Sequence, residues 1–129
     1  MFDHISFGVS DFARLTTFYD QVFAPLGGSR LFNVPKEQSS GAKVTGFGDD
    51  HPWFWLADEN ATSRMMHIAF RAKYRSEVDA FYNAAIRAGG ADNGAPGLRP
   101  HYNANYYAAF VLDPNGHNIE AVCHTRPNS

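Results

Sequence analysis

Tyr106-Tyr107-Ala108-Ala109-Phe110-Val111-Leu112-Asp113-Pro114-Asn115-Gly116-His117-Asn118-Ile119-Glu120-Ala121-Val122-Cys123-His124 decides how this chain is read. An apolar and aromatic run stops at Asp-Pro-Asn-Gly, the strongest turn signal in the sequence, and a second short run follows. The stretch therefore predicts two strands joined by a tight turn. Period 2 sets Asn118, Glu120 and Val122 on one face of the second strand, with Ile119, Ala121 and Cys123 on the other. Glu120 then sits mid-strand among apolar residues, where a bare carboxylate costs several kcal/mol of desolvation unless a cation meets it. No Lys or Arg lies in that strand. The partner has to come from elsewhere, as the guanidinium of Arg71 or Arg99 or as a metal ion.

Working outward, the chain repeats a plan. Phe2 to Val9 alternates as a half-buried strand, with Ile5, Phe7 and Val9 on one face and His4, Ser6 and Gly8 on the other. Ser10-Asp11 offers an N-cap to a helix carrying Phe12, Leu15, Tyr19, Val22, Phe23 and Leu26, which Pro25 and Gly27-Gly28 stop. Short strands are expected at Arg30–Val34, Ala42–Gly48 and Trp53–Ala57, and Asp58–Ser63 reads as the boundary between halves. Met65 to Ala72 then forms a strand with Ile68, Phe70 and Ala72 opposite His67, Ala69 and Arg71. Ser76-Glu77-Val78-Asp79 opens a second helix, which Gly89-Gly90 closes. Residues 91–104, rich in Gly, Pro and Asn, read as a long loop with at most a brief strand before the closing hairpin.

A shift of sixty-three residues, without a gap, superposes His4 on His67, Ile5 on Ile68, Phe7 on Phe70, Phe18-Tyr19 on Phe81-Tyr82, and Asp50 on Asp113. Matches at a strand, a helix and a turn mark two copies of one strand–helix–three-strand module, spanning 1–60 and 64–126. Each is too small to be stable alone.

Composition bounds the function. The chain has 129 residues, a net charge of −2 and one cysteine. That balance gives no electrostatic footprint for nucleic acid. One cysteine excludes an internal disulfide framework and suits a reducing, cytoplasmic location. No apolar run approaches the ~20 residues of a membrane span.

His4 and His67 fall at equivalent places on the first strand of each module, on the face turned away from the helices. If the modules converge, two imidazoles and the Glu120 carboxylate make a three-ligand site for a divalent metal with open positions for substrate. Surface histidines and a structural ion pair are the plain alternatives.

The repeat, Asp3-His4-Ile5-Ser6 at the start, Phe-Tyr late in each helix and Asp-Pro-Asn-Gly-x-x-Ile-Glu near the end resemble the vicinal oxygen chelate superfamily. This is the glyoxalase, bleomycin-resistance and extradiol-dioxygenase group. The resemblance covers nearly the whole chain. It implies an α+β fold of paired βαβββ modules forming an open, barrel-like cup, in a homodimer. It also implies metal ligands at His4, His67 and Glu120, holding Zn, Fe, Ni or Mn. The metal would polarise vicinal oxygens of a small-molecule substrate in lyase, isomerase, transferase or dioxygenase chemistry. The alternative is a metal-independent sequestering protein of the bleomycin-resistance type. Glyoxalases of the group carry a further carboxylate on the last strand of the first module. Here that position falls on Ala57, or on Trp55 if the turn is two residues shorter.

The pocket rim follows from the residues. Trp53 and Trp55 share a face by parity and form a candidate apolar wall, with ordinary core as the alternative. Arg99, Tyr102 and Tyr107 lie in or beside the long second-module loop, where function concentrates. His101 is a candidate general base and Tyr106 a second candidate catalytic group. His51, His117 and His124 are assigned to turns or surface, and Cys123 to the core.

Overall fold

The structure, a computed structural model, describes residues 2–39, 41–59 and 65–127. The alternation after Phe2 produces β1 (Ile5–Gly8), and α1 (Phe12–Phe23) follows, its first turn capped by the Asp11 carboxylate accepting from the Arg14 amide. β2 (Ser29–Val34), β3 (Val44–Gly48) and β4 (Pro52–Ala57) complete the first unit. The second consists of β5 (His67–Arg71), α2 (Arg75–Arg87), β6 (Ala91–Leu98), β7 (Tyr107–Leu112) and β8 (Asn118–Cys123). α2 begins one residue before Ser76, and the Glu77 carboxylate reaches back to accept from the amides of Lys73 and Tyr74. The connection expected at Asp58–Ser63 lies in part on residues 60–63, outside the described residues.

β6 departs from the sequence reading, which expects a loop with at most a brief strand where an eight-residue strand forms. Pairing with β7 supplies hydrogen-bond partners to a segment of poor strand propensity, so tertiary context wins. The composition still shows, because the ladder slips between Asp92 and Gly94 and again between Gly94 and Gly97.

Each unit forms a four-stranded sheet with the same order, β1-β4-β3-β2 and β5-β8-β7-β6, its first strand parallel to its last. The two sheets do not close into a barrel. Their helix-side faces share one core. Phe7, Phe54 and Leu56 come from the first sheet, Val111, Ile119 and Ala121 from the second, and Leu15, Phe18, Tyr19, Phe23, Val78 and Phe81 from the helices. Across the middle, the Phe23 ring lies 5.0 Å from Phe70 and the Phe7 ring 5.2 Å from His117. The buried Tyr19 hydroxyl donates to Asp113 at 2.7 Å, and burial, then the Asp113 charge, raise its pKa well above the usual phenol value.

The Asp113–His117 turn orients β8. Gly116 takes φ 87°, and the Asp113 carboxylate accepts from the amides of Asn115 and His117. His117, expected at a turn or surface, ends this turn and is buried there. Its Nδ1 accepts from the Met66 amide at 2.9 Å, which stitches the hairpin to the start of β5. Cys123 is buried and unbridged on the core face, as parity requires.

Candidate metal and substrate site

The face of β8 away from the helices carries Asn118, Glu120 and Val122. Parallel pairing sets His67 beside Asn118 and Ala69 beside Glu120, while β7 places Phe110 on the other side of Glu120. Glu120 is only 2% exposed. Its Oε1 accepts from His67 Nε2 at 2.9 Å, and its Oε2 accepts from the Tyr106 hydroxyl. His67 is half exposed, and its Nδ1 lies 2.7 Å from the Asn118 side-chain nitrogen. Asn118 Oδ1 in turn accepts from Asn93 Nδ2 at 3.1 Å. Neither candidate guanidinium forms an ion pair with Glu120 among the described residues. Arg99 donates to the carbonyls of Gly97 and Ala95 and lies 5.4 Å over the Phe110 ring.

Burial, then the hydrogen bond to Glu120, push the Tyr106 hydroxyl up to a pKa of about 12, so at neutral pH it is a donor. Around it runs a ladder of rings: His101 to Tyr102 at 4.2 Å, Tyr102 to Tyr106 at 4.9 Å, Tyr106 to His124 at 5.3 Å. The loop bearing them is closed by the Arg99 amide donating to the Tyr106 carbonyl at 2.7 Å. A cavity of about 500 Å³ opens over this face, lined by His67, His101, Tyr102, Tyr106, Phe110 and Glu120 among others.

The other expected residues lie apart. Tyr107 turns to the helix side, where its hydroxyl donates to Asp79 at 2.7 Å beneath Arg75. Trp53 packs on Phe23 and Phe70, whereas Trp55 stacks on Phe32 at 6.0 Å, so the two indoles do not make one wall. His4 is half exposed, with Nδ1 2.8 Å from Asp3. It borders a cleft of about 400 Å³ together with Trp53, His67 and Arg71, yet its ring does not join His67 and Glu120. Among the described residues, the one His/Cys/Asp/Glu trio whose ligating atoms come within 4.8 Å of one another is the exposed Asp49, Asp50 and His51, in the β3–β4 turn.

Strand register settles which first-module residue matches Glu120. Ser6 pairs with Trp55 as Ala69 pairs with Glu120, so the counterpart is Trp55 and the turn is the shorter one. The sequence reading missed Asn118 and Asn93. Asn118 was legible as the polar residue two places from Glu120 on the same face; Asn93 depends on the unforeseen β6.

Two copies of a βαβββ unit, with His67 and Glu120 side by side on the first and last strands of the second, define a glyoxalase-type fold. Residues 1–121 match the family model described as Glyoxalase/Bleomycin resistance protein/Dioxygenase superfamily, and the chain belongs to that superfamily. Among solved structures it is similar to a glyoxalase/bleomycin resistance protein from Albidiferax ferrireducens T118. Identity is 26%, with 95% of this chain and 98% of that one covered at a TM-score of 0.77. It is also similar in fold to the fosfomycin resistance protein FosX from Mesorhizobium loti, at 20% identity, 95% and 90% coverage and TM-score 0.70. FosX from Listeria monocytogenes, solved with Mn(II) and sulfate, gives 18% identity, 97% and 93% coverage and TM-score 0.70. A search of curated proteins returned no match. No helix of the described residues is long and apolar enough to cross a membrane.

Proposed function

We propose that the chain is a small metal-dependent enzyme of the glyoxalase or dioxygenase type, in which His67 and Glu120 of one copy and His4 of a second copy hold one divalent ion. The observation that carries this reading is the His67–Glu120 pair: a carboxylate 2% exposed, held beside an imidazole, with no Lys or Arg paired to it among the described residues. Two donors 2.9 Å apart are spaced as adjacent ligands of one ion with bonds of about 2.1 Å. Manganese in the Listeria FosX structure supports a divalent ion, with Zn, Fe and Ni as the other candidates. Bound there, the ion supplies Lewis-acid polarisation of adjacent oxygens in a small substrate.

The remaining work falls to the chain's own residues. Tyr106 pins Oε2, which leaves Oε1 as the oxygen that faces the His67 side. Phe110 and Tyr102 line the cavity, and Arg99, whose guanidinium donates to two β6 carbonyls, closes the adjoining loop through its backbone amide. His101, exposed at the mouth, is placed to exchange a proton with an entering substrate.

A second copy is invoked because the helix-side faces of the two sheets meet inside the chain, and His4, although it borders the same cleft as His67, does not come within ligating distance of both His67 and Glu120. β1 and β5 are open sheet edges, which favours a twofold homodimer with two equivalent sites. The buried, unbridged Cys123 suits the cytoplasm.

One observation favours a different reading, a metal-independent binder of the bleomycin-resistance type: protein donors already satisfy both Glu120 oxygens. Elemental analysis of the gently purified protein separates the two. The metalloenzyme reading expects close to one ion per chain, falling to trace in His67→Ala and Glu120→Ala and unchanged in the His51→Ala control for the exposed trio. Metal that survives His67→Ala defeats it.

A further inference from the structure

We propose that Asn118 is a positioning residue for His67: its amide holds the imidazole proton on Nε2, facing Glu120, and must turn over for Nε2 to take a metal ion. The inference rests on the metal-site reading above and goes beyond it, since neither asparagine touches the ion.

The argument is one of donors and acceptors. Strand register seats Asn118 directly beside His67 and two residues from Glu120, so the ring lies between an amide and a carboxylate. The Asn118 side-chain nitrogen, 2.7 Å from His67 Nδ1, can only donate. Nδ1 therefore accepts, the neutral ring's single proton sits on Nε2, and that N–H donates to Glu120 Oε1. Asn93 fixes the amide in this sense by donating to Asn118 Oδ1 at 3.1 Å. Polarity runs in one direction through Asn93, Asn118, His67 and Glu120, and the Tyr106 hydroxyl closes the far end.

A ring protonated on Nε2 has no lone pair there for a cation. Binding through that atom requires the proton on Nδ1, which an amide nitrogen opposes and an amide oxygen accepts. Turning the Asn118 amide supplies the oxygen. The cost is the single exposed bond from Asn93, whose side chain can donate to water instead.

Zinc is the probe, because it is diamagnetic. In the metal-free wild-type protein, nitrogen NMR of the His67 ring is expected to show Nε2–H and an unprotonated Nδ1, and zinc loading should move the proton to Nδ1. Asn118→Leu, which keeps the bulk and removes both hydrogen-bonding senses, should weaken zinc binding by about tenfold. Asn118→Ser, whose hydroxyl donates or accepts by rotation, should recover most of that loss, with circular dichroism confirming that both variants fold. Nδ1–H in the metal-free wild type, or wild-type zinc affinity in Asn118→Leu, overturns the proposal. A wild-type protein that takes up no zinc defeats the metal reading instead, and the metal-free spectrum still judges Asn118 as the residue that sets the proton.

Discussion

Where the second sheet carries Glu120, flanked by His67, Phe110 and Tyr106, the first carries Trp55, stacked on Phe32 above Gly46. The strand order is the same and the two positions correspond pair for pair. The two modules share a scaffold, and the residue on the last strand makes their faces differ. A buried carboxylate demands donors and collects an imidazole and a phenol, whereas an indole demands apolar surface and takes a glycine floor with a second ring. The face with the buried carboxylate and its imidazole and phenol partners belongs to the second module. The first offers an aromatic one.

The comparison breaks if the modules are independent, so its largest test is of the shared core. Phe23 of α1 packs on Phe70 of β5, and Phe23→Ala should cost about 3–5 kcal/mol. Loss should appear as one cooperative transition by both circular dichroism and tryptophan fluorescence. Two separated transitions would show that each module folds for itself.

Next in size is the polar face. Tyr106→Phe leaves Glu120 Oε2 without its donor and should cost about 1.5–3 kcal/mol. The pH dependence has a definite sign. The Tyr106 pKa is raised from 10.0 to about 12 in the folded protein, so its share of stability is complete below pH 10 and declines as pH rises towards 12. Denaturant titrations should show a smaller alkaline loss in Tyr106→Phe than in the wild type. Tyr107, also pushed up to about 12, and Tyr19 keep part of that loss in place.

The aromatic face gives the smallest effect and the sharpest contrast. A Cβ at Gly46 would lie 2.6 Å from the Trp55 ring, so Gly46→Ala should cost about 1–3 kcal/mol. In a Trp55→Ala background most of that cost should vanish. A penalty that persists there would place the conflict in the backbone and not against the indole.

Much of this was legible in the sequence, for identifiable reasons. Parity placed Glu120 opposite Ile119 and Cys123, Asp-Pro-Asn-Gly placed the hairpin, and the repeat matched His67, the first residue of β5, with His4, which stands one residue ahead of β1. What stayed hidden depends on pairing partners outside the local window. β6 is a strand because β7 offers it a ladder. His117 is buried because Met66 and Phe7 meet it from other elements. Parity set Trp53 with Trp55, but the register slip between Phe47 and Gly48 accompanies a Trp53 that packs on Phe23 and Phe70. The partner of Glu120 was read as cationic; Tyr106 was singled out as a candidate catalytic group, but its bond to Glu120 appears only with the loop folded over the face.

The central claim, that one site needs two copies of the chain, is tested most directly by mixing variants. His4→Ala chains and Glu120→Ala chains, each expected to bind only trace metal, are unfolded together, refolded and analysed for bound ion. The account expects one ion per mixed dimer, because His4 of the Glu120→Ala chain meets the intact His67 and Glu120 of its partner. A refolded mixture that binds no more ion than either variant alone contradicts it.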